Sequence, residues 1–226
     1  MCREVKRFSL ATYDSIAFCF SVCSLTYIDL VFIVEALNQQ SWTSMLSYVN
    51  SVVDRLNIGG SNVRVAFISY GSGVQNPVLF YHYGDRPSLE NAIRNIQYIG
   101  SGSDNLADAL NNAQSLFSSA RSGAAYVVVI ITDRLPDGST NQYVAAANAL
   151  KAGGIWITGV GVTNPGQFSS NLMSQIVTNN LYTTVGDYSQ LSQTSNQVGL
   201  QFACQAPITT STTTSTSTTT TPTIPS

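Results

Sequence analysis

Charge is scarce in this chain. Of its 226 residues only 10% are Asp, Glu, Lys or Arg, and ten bases against twelve acids leave a formal net charge of −2. Nucleic-acid binding needs several bases set against phosphates, and no such basic stripe exists here. The same balance excludes electrostatic attachment to an anionic membrane surface. Histidine occurs once, at position 82, and the four cysteines at 2, 19, 23 and 204 include no C-x-x-C pair, so a zinc site lacks its usual ligands. There is no G-x-S-x-G elbow, no phosphate-binding loop and no G-x-G-x-x-G fingerprint, since Gly159 and Gly161 lack the later glycine. His82, the one imidazole base, falls in LFYHYGD on an expected edge strand. No enzyme, and hence no catalytic residue, is expected.

Long apolar runs are also missing. IAFCFSVCSL is too short and too rich in hydroxyls to cross a bilayer, so no membrane span is expected. Preceded by Arg3, Lys6 and Arg7, it has the basic and apolar regions of a secretory signal, with a small-residue cleavage point near Ser21, although Asp14 interrupts the pattern and a mis-set chain start is the alternative. At the other end, ITTSTTTSTSTTTTPTIPS offers nothing to bury, and its Thr/Ser/Pro composition matches O-glycosylated stalks as well as plain flexible spacers. The expected organisation is a leader over residues 1–27, one folded domain over 28–204, and a disordered linker or stalk over 205–226. Cys23 and Cys204 bracket the folded region and are placed to join its ends as a disulfide in an oxidising compartment; two unpaired thiols are the alternative.

What the chain does have is alternation. With 44% hydrophobic residues it can bury one substantial core. IDLVFIV (28–34) reads as a strand, and SWTSMLSYVNSVVDRL follows as an amphipathic helix, with Trp42, Met45, Leu46, Val49, Val52, Val53 and Leu56 at three- and four-residue intervals. NVRVAFISY (62–70) and PVLFYHY (77–83), joined by GSGVQN, read as an antiparallel pair. Then come helices in SLENAIRNI and LADALNNAQSLFSSA, the strand AYVVVIIT, a helix through NQYVAAANALKA, the strand IWITGVGV, the short strand LYTTV and a helix through YSQLSQTSNQVGLQF. VVVII has no polar alternation, as in a strand covered on both faces. The expected fold is α/β: a doubly wound, mainly parallel six-stranded sheet with one antiparallel edge strand and helices on both faces. Ligands of such a sheet bind beyond the carboxyl ends of its strands, at the switch in strand order, which brings the loops after Val34 and Thr132 to one rim. Asp29 is expected at the lower end, with no assigned chemistry.

DLVFIVE, NVRVAFISYGS, YVVVIITDRLPDGS and GGIWITGVGV, in that order, resemble the first, second, fourth and fifth strands of the von Willebrand factor type A domain. The resemblance implies an extracellular protein-binding module of Rossmann-like fold. It also implies a metal-ion-dependent adhesion site in which a D-x-S-x-S motif, a Thr and an Asp hold a divalent cation that meets an acidic group of the partner. Carried over by position, the first acid falls on Glu35, the two serines on Leu37 and Gln39, the second-loop residue on Asp104 (or Ser103 in a register slipped by one), and the third-loop acid on Asp133. Leu37 offers no oxygen, and the extra methylene of Glu35 displaces its carboxylate from where a rigid Mg²⁺ shell needs it. The expectation is a degenerate site that binds Mg²⁺ weakly or not at all, with a more permissive Ca²⁺ or water-filled site as the alternative. Glu35 and Gln39 also suit the start of the following helix, and Asp104 is an ordinary N-cap before LADALNNA. The function implied is adhesion to an extracellular protein or glycan at the rim; the alternative is a structural or assembly domain that uses its helix faces.

Overall fold

The computed structural model describes residues 27–36, 39–100, 106–135, 140–163, 166–203 and 206–207. The leader, the Thr-rich segment, Cys23, Cys204, Leu37, Ser103 and Asp104 lie outside the described residues.

Six strands form one sheet: β1 (Ile28–Glu35), β2 (Val63–Tyr70), β3 (Val74–Val78), β4 (Ala125–Thr132), β5 (Trp156–Val162) and β6 (Tyr182–Val185). Their spatial order is β3-β2-β1-β4-β5-β6. Only the β2–β3 pair is antiparallel. The chain winds outward from β1 to β3, returns to β4 on the other side of β1, and winds outward again. The order therefore switches between β1 and β4, and a crevice opens at their carboxyl ends.

The helices are α1 (Gln39–Val53), α2 (Arg86–Arg94), α3 (Leu106–Phe117), α4 (Thr140–Ala152) and α5 (Ser170–Ile176). Ile28, Leu30, Phe32 and Val34 of β1 pack with α1, α2 and the C-terminal helical segment. Val31 and Ile33 point the other way, to α3, α4 and α5. This period-two alternation is why β1 is apolar throughout: both of its faces are core.

Three elements depart from the sequence expectations. β3 starts at Val74, not Pro77, because the turn needs only Gly71-Ser72-Gly73 before Tyr70 pairs with Val74. Its strand ends at Val78, and Leu79–His82 closes as a turn, with His82 N donating to Leu79 O (3.0 Å). Because β3 runs away from the rim, His82 sits at the lower end of the sheet and not on a strand. α5 had no expected counterpart; it is only seven residues long, started by Ser169, whose hydroxyl accepts from Leu172 N. The last helix is not α-helical but a 3₁₀ helix, Tyr188–Thr194, followed by a π-helical turn, Gln197–Phe202. Asp187 and Gln190 close a capping box around its start, and Gly199 lies where a Cβ would press on Val52 and Arg55 of the α1 end.

The lower end is clasped by a buried carboxylate. Asp29 is fully buried and accepts from Arg64 Nε (2.9 Å) and Nη2 (2.6 Å) and from Arg121 N (2.7 Å) and Nε (2.9 Å). Arg121 also donates to the carbonyls of Gly60, Ile28 and Asn62, and its guanidinium covers the Tyr27 ring at 4.1 Å. Burial alone would raise the Asp29 pKa; the bonds from the two arginines outweigh it and hold it below the usual value. The residue left without a role by its sequence position thus ties β1, β2 and the start of β4 together.

Candidate functional site at the rim

β1 and β4 are neighbours in register, with Val34 opposite Ile131, so Glu35 at the end of β1 and Asp133 just beyond β4 are brought together. Glu35 is 1% exposed. Its Oε2 accepts from the Thr132 hydroxyl, from Asp133 N (2.8 Å) and from Arg134 N (3.2 Å). One carboxylate oxygen therefore holds the whole turn after β4. Its other oxygen, Oε1, is buried and receives no hydrogen bond.

Burial and the neighbouring Asp133 carboxylate push the Glu35 pKa up to about 8. The shift favours the protonated acid, whose O–H can donate to the Asp133 side chain. Asp133 is itself buried, and its Oδ2 accepts from the phenol hydroxyl of Tyr188. Burial and that bond raise the Tyr188 pKa. Ser41, buried in the first turn of α1, completes the chain by hydrogen-bonding the phenol.

Close loop packing holds the surrounding rim. Ala36 N donates to Tyr70 O (2.7 Å) and Ser72 N to Gly100 O (3.0 Å). Gly71 sits between them: a Cβ there would lie 2.6 Å from Gly100 O and 2.9 Å from Ala36 O. Trp42 Nε1 donates to Ile96 O (3.0 Å), tying the start of α1 to the segment that leads into the second rim loop. Leu135 N donates to Gln167 O (2.9 Å), joining the third loop to the one after β5.

Of the residues singled out by sequence, Glu35 and Asp133 are brought together. Gln39 is exposed at the first residue of α1, and Ser103 and Asp104 lie outside the described residues. Thr132, Ser41 and Tyr188 were missed. A signal for Tyr188 existed: the Asp187…Gln190 box directly after the sixth strand, which runs parallel to β5, puts its helix start at the same rim.

Two of the rim's carboxylate oxygens are already engaged by protein donors: Glu35 Oε2 accepts three hydrogen bonds, and Asp133 Oδ2 is held by a phenol. Among the described residues no three His, Cys, Asp or Glu side chains are grouped to hold a metal.

The profile of the von Willebrand factor type A domain matches residues 29–197. Matrilin-3 of Mus musculus is 28% identical over 162 residues, covering 68% of this chain and 33% of the relative; this chain thus spans about a third of that protein's length. Among solved structures, proximal thread matrix protein 1 from the mussel byssus superposes with a TM-score of 0.72 at 19% identity, over 80% of this chain and 47% of the other. A form of the same protein with a zinc-occupied MIDAS motif gives a TM-score of 0.71 at 20% identity, over 80% and 46%. At these identities the superpositions speak for the fold alone.

Proposed function

The chain belongs to the von Willebrand factor type A domain family, and from that premise we propose that residues 28–204 form a non-enzymatic extracellular recognition module. Its ligand is a protein or glycan met at the rim, and its metal-ion-dependent adhesion site is degenerate, with weak Mg²⁺ or Ca²⁺ binding at most. The observation that carries this reading is the pairing of Glu35 with Asp133 at the carboxyl ends of β1 and β4, where the strand order switches. A carboxylic acid, a carboxylate, a phenol and a serine hydroxyl leave that rim rich in hydrogen-bonding groups, and no nucleophile–base pair occurs there among the described residues. His82 sits at the opposite end of the sheet, with Nδ1 accepting from Leu79 N (3.2 Å). Residues 1–27 are read as a leader and residues 205–226 as a Thr-rich stalk that carries the module, with a further domain beyond it. Relatives named matrilin and collagen alpha-4(VI) chain support a secreted setting, and no helix among the described residues is long and apolar enough to cross a membrane.

The alternative, an assembly domain working through its helix faces, draws support from the same closed rim, whose groups already bond one another. The two are separated by biolayer interferometry of the folded domain against purified extracellular-matrix proteins and glycosaminoglycan chains. Rim recognition requires that Asp133→Ala lose a bound partner while the exposed α4 variant Ala145→Arg/Asn148→Arg keeps it, and that EDTA leave binding unchanged. The reverse pattern selects the assembly domain. Binding abolished by EDTA would reject the degenerate site.

A further inference from the structure

Tyr188 belongs to neither the first, second nor third rim loop, yet its hydroxyl reaches the centre of the rim. It is carried there by the 3₁₀ helix Tyr188–Thr194, whose start is held rigidly: Asp187 Oδ1 accepts from Ser189 N (2.8 Å), and Gln190 Oε1 accepts from Gly186 N (2.7 Å). Farther along the same helix, Thr194 Oγ1 donates to Tyr48 OH of α1 (3.1 Å), while the Tyr188 ring packs against the core on that face. The hydroxyl is therefore positioned by packing at both ends of the helix. It donates to Asp133 Oδ2 and is met by the Ser41 hydroxyl.

We propose that Tyr188 is the residue that sets ligand chemistry at this rim: its hydroxyl is a resident donor on Asp133, occupying the carboxylate oxygen that an incoming cation would have to reach. This inference rests on the degenerate-rim reading and adds a cause to it. Leu37 and Glu35 remove or displace ligands, whereas Tyr188 fills the place of one. The physical basis is competition. A phenol bonded to a carboxylate makes a charge-assisted hydrogen bond, and any cation must displace it or bind without the best oxygen. With the donor in place, the rim presents a closed hydrogen-bonded array around one carboxylate, suited to a partner that offers hydroxyls or amides and not to one that offers a carboxylate to a bound metal.

The test is titration calorimetry of the folded domain with Mn²⁺, a cation of permissive geometry, in wild type, Tyr188→Phe and Tyr188→Phe/Asp133→Asn, with circular dichroism confirming the fold. Phe keeps the ring in its packing and removes only the hydroxyl; Tyr188→Leu serves as a second variant if Phe perturbs the helix. The expected result is Mn²⁺ affinity roughly ten- to a hundred-fold higher in Tyr188→Phe than in wild type, the range of a hydrogen bond to a charged group, and its loss in the double variant. Equal, weak affinity in wild type and both single variants overturns the role of Tyr188 and leaves the degenerate rim standing. Micromolar affinity already present in wild type overturns the degenerate rim itself, and with it the inference.

Discussion

Replacing Glu35 by Gln should make the domain more stable at alkaline pH and leave it nearly unchanged in acid. The folded chain holds the Glu35 proton up to about pH 8, whereas the group's ordinary value is 4.5. Between those values the unfolded chain has released a proton that the folded chain retains, so stability falls as pH rises, by about 1.4 kcal/mol per pH unit. The sign is the opposite of the usual carboxylate: the contribution is intact below pH 4.5, erodes through the neutral range, and is fully lost above pH 8. Full burial of the side chain means solvent does little to screen the effect. Over the window the loss is on the order of 5 kcal/mol. Gln is close in shape to protonated Glu. Its Oε1 can accept from Thr132, Asp133 N and Arg134 N, and its amide N–H can donate to Asp133, as the acid proton does. Glu35→Gln should therefore match wild type near pH 5 and exceed it by on the order of 3–4 kcal/mol at pH 8, a Tm difference of roughly 10 °C for a domain of this size. Urea unfolding at pH 5, 6, 7 and 8, followed by the fluorescence of Trp42 and Trp156, measures both curves. Parallel pH profiles, or a variant less stable than wild type at pH 8, would refute the claim that Glu35 is held as a neutral acid.

Arg121→Met should cost about 3–5 kcal/mol in chemical denaturation, because it strips bonds from the buried Asp29 and removes the guanidinium donors to three backbone carbonyls; a cost under 1 kcal/mol would mean the lower clasp is dispensable. Asp29 also sets an acid limit of ordinary sign: its lowered pKa supplies stability above the unfolded carboxylate value of about 3.9, lost as pH falls through the folded one, and Asp29→Asn should flatten the acid limb of the stability curve. Gly71→Ala should drive the Ala36 and Gly100 carbonyls apart and lower the Tm, with faster hydrogen exchange confined to residues 36, 70–73 and 100; an unchanged exchange pattern would contradict the close approach. Secreted material should yield a Cys23–Cys204 peptide under non-reducing mass mapping, and free alkylation of both thiols in native protein would remove the end-joining bridge.

The two rim acids were legible because each follows an unmistakable strand. VVVII and DLVFIV leave little doubt where β4 and β1 end, and in a doubly wound sheet the residues beyond neighbouring parallel strands must converge. What they do on meeting was not legible. In the fold, Glu35 accepts the backbone N–H groups of the turn and Asp133 accepts a phenol. The longer side chain of Glu35 reaches across to the turn after the neighbouring strand. β3 was misplaced by three residues because a turn's length decides antiparallel register, and GSGVQN does not show where its turn stops.

Periodicity and the order of apolar runs determined by themselves that this chain folds as a doubly wound, mainly parallel sheet. These are properties summed along the chain, carried by contacts between elements whose identity survives small errors of register. The roles of Asp29 and Tyr188 were decided only in three dimensions. Asp29 meets Arg121 across 92 positions and Tyr188 meets Asp133 across 55. A polar contact over such separations depends on strand order, side-chain direction and burial together, and a hydrogen bond, unlike apolar packing, is lost within an ångström of misplacement.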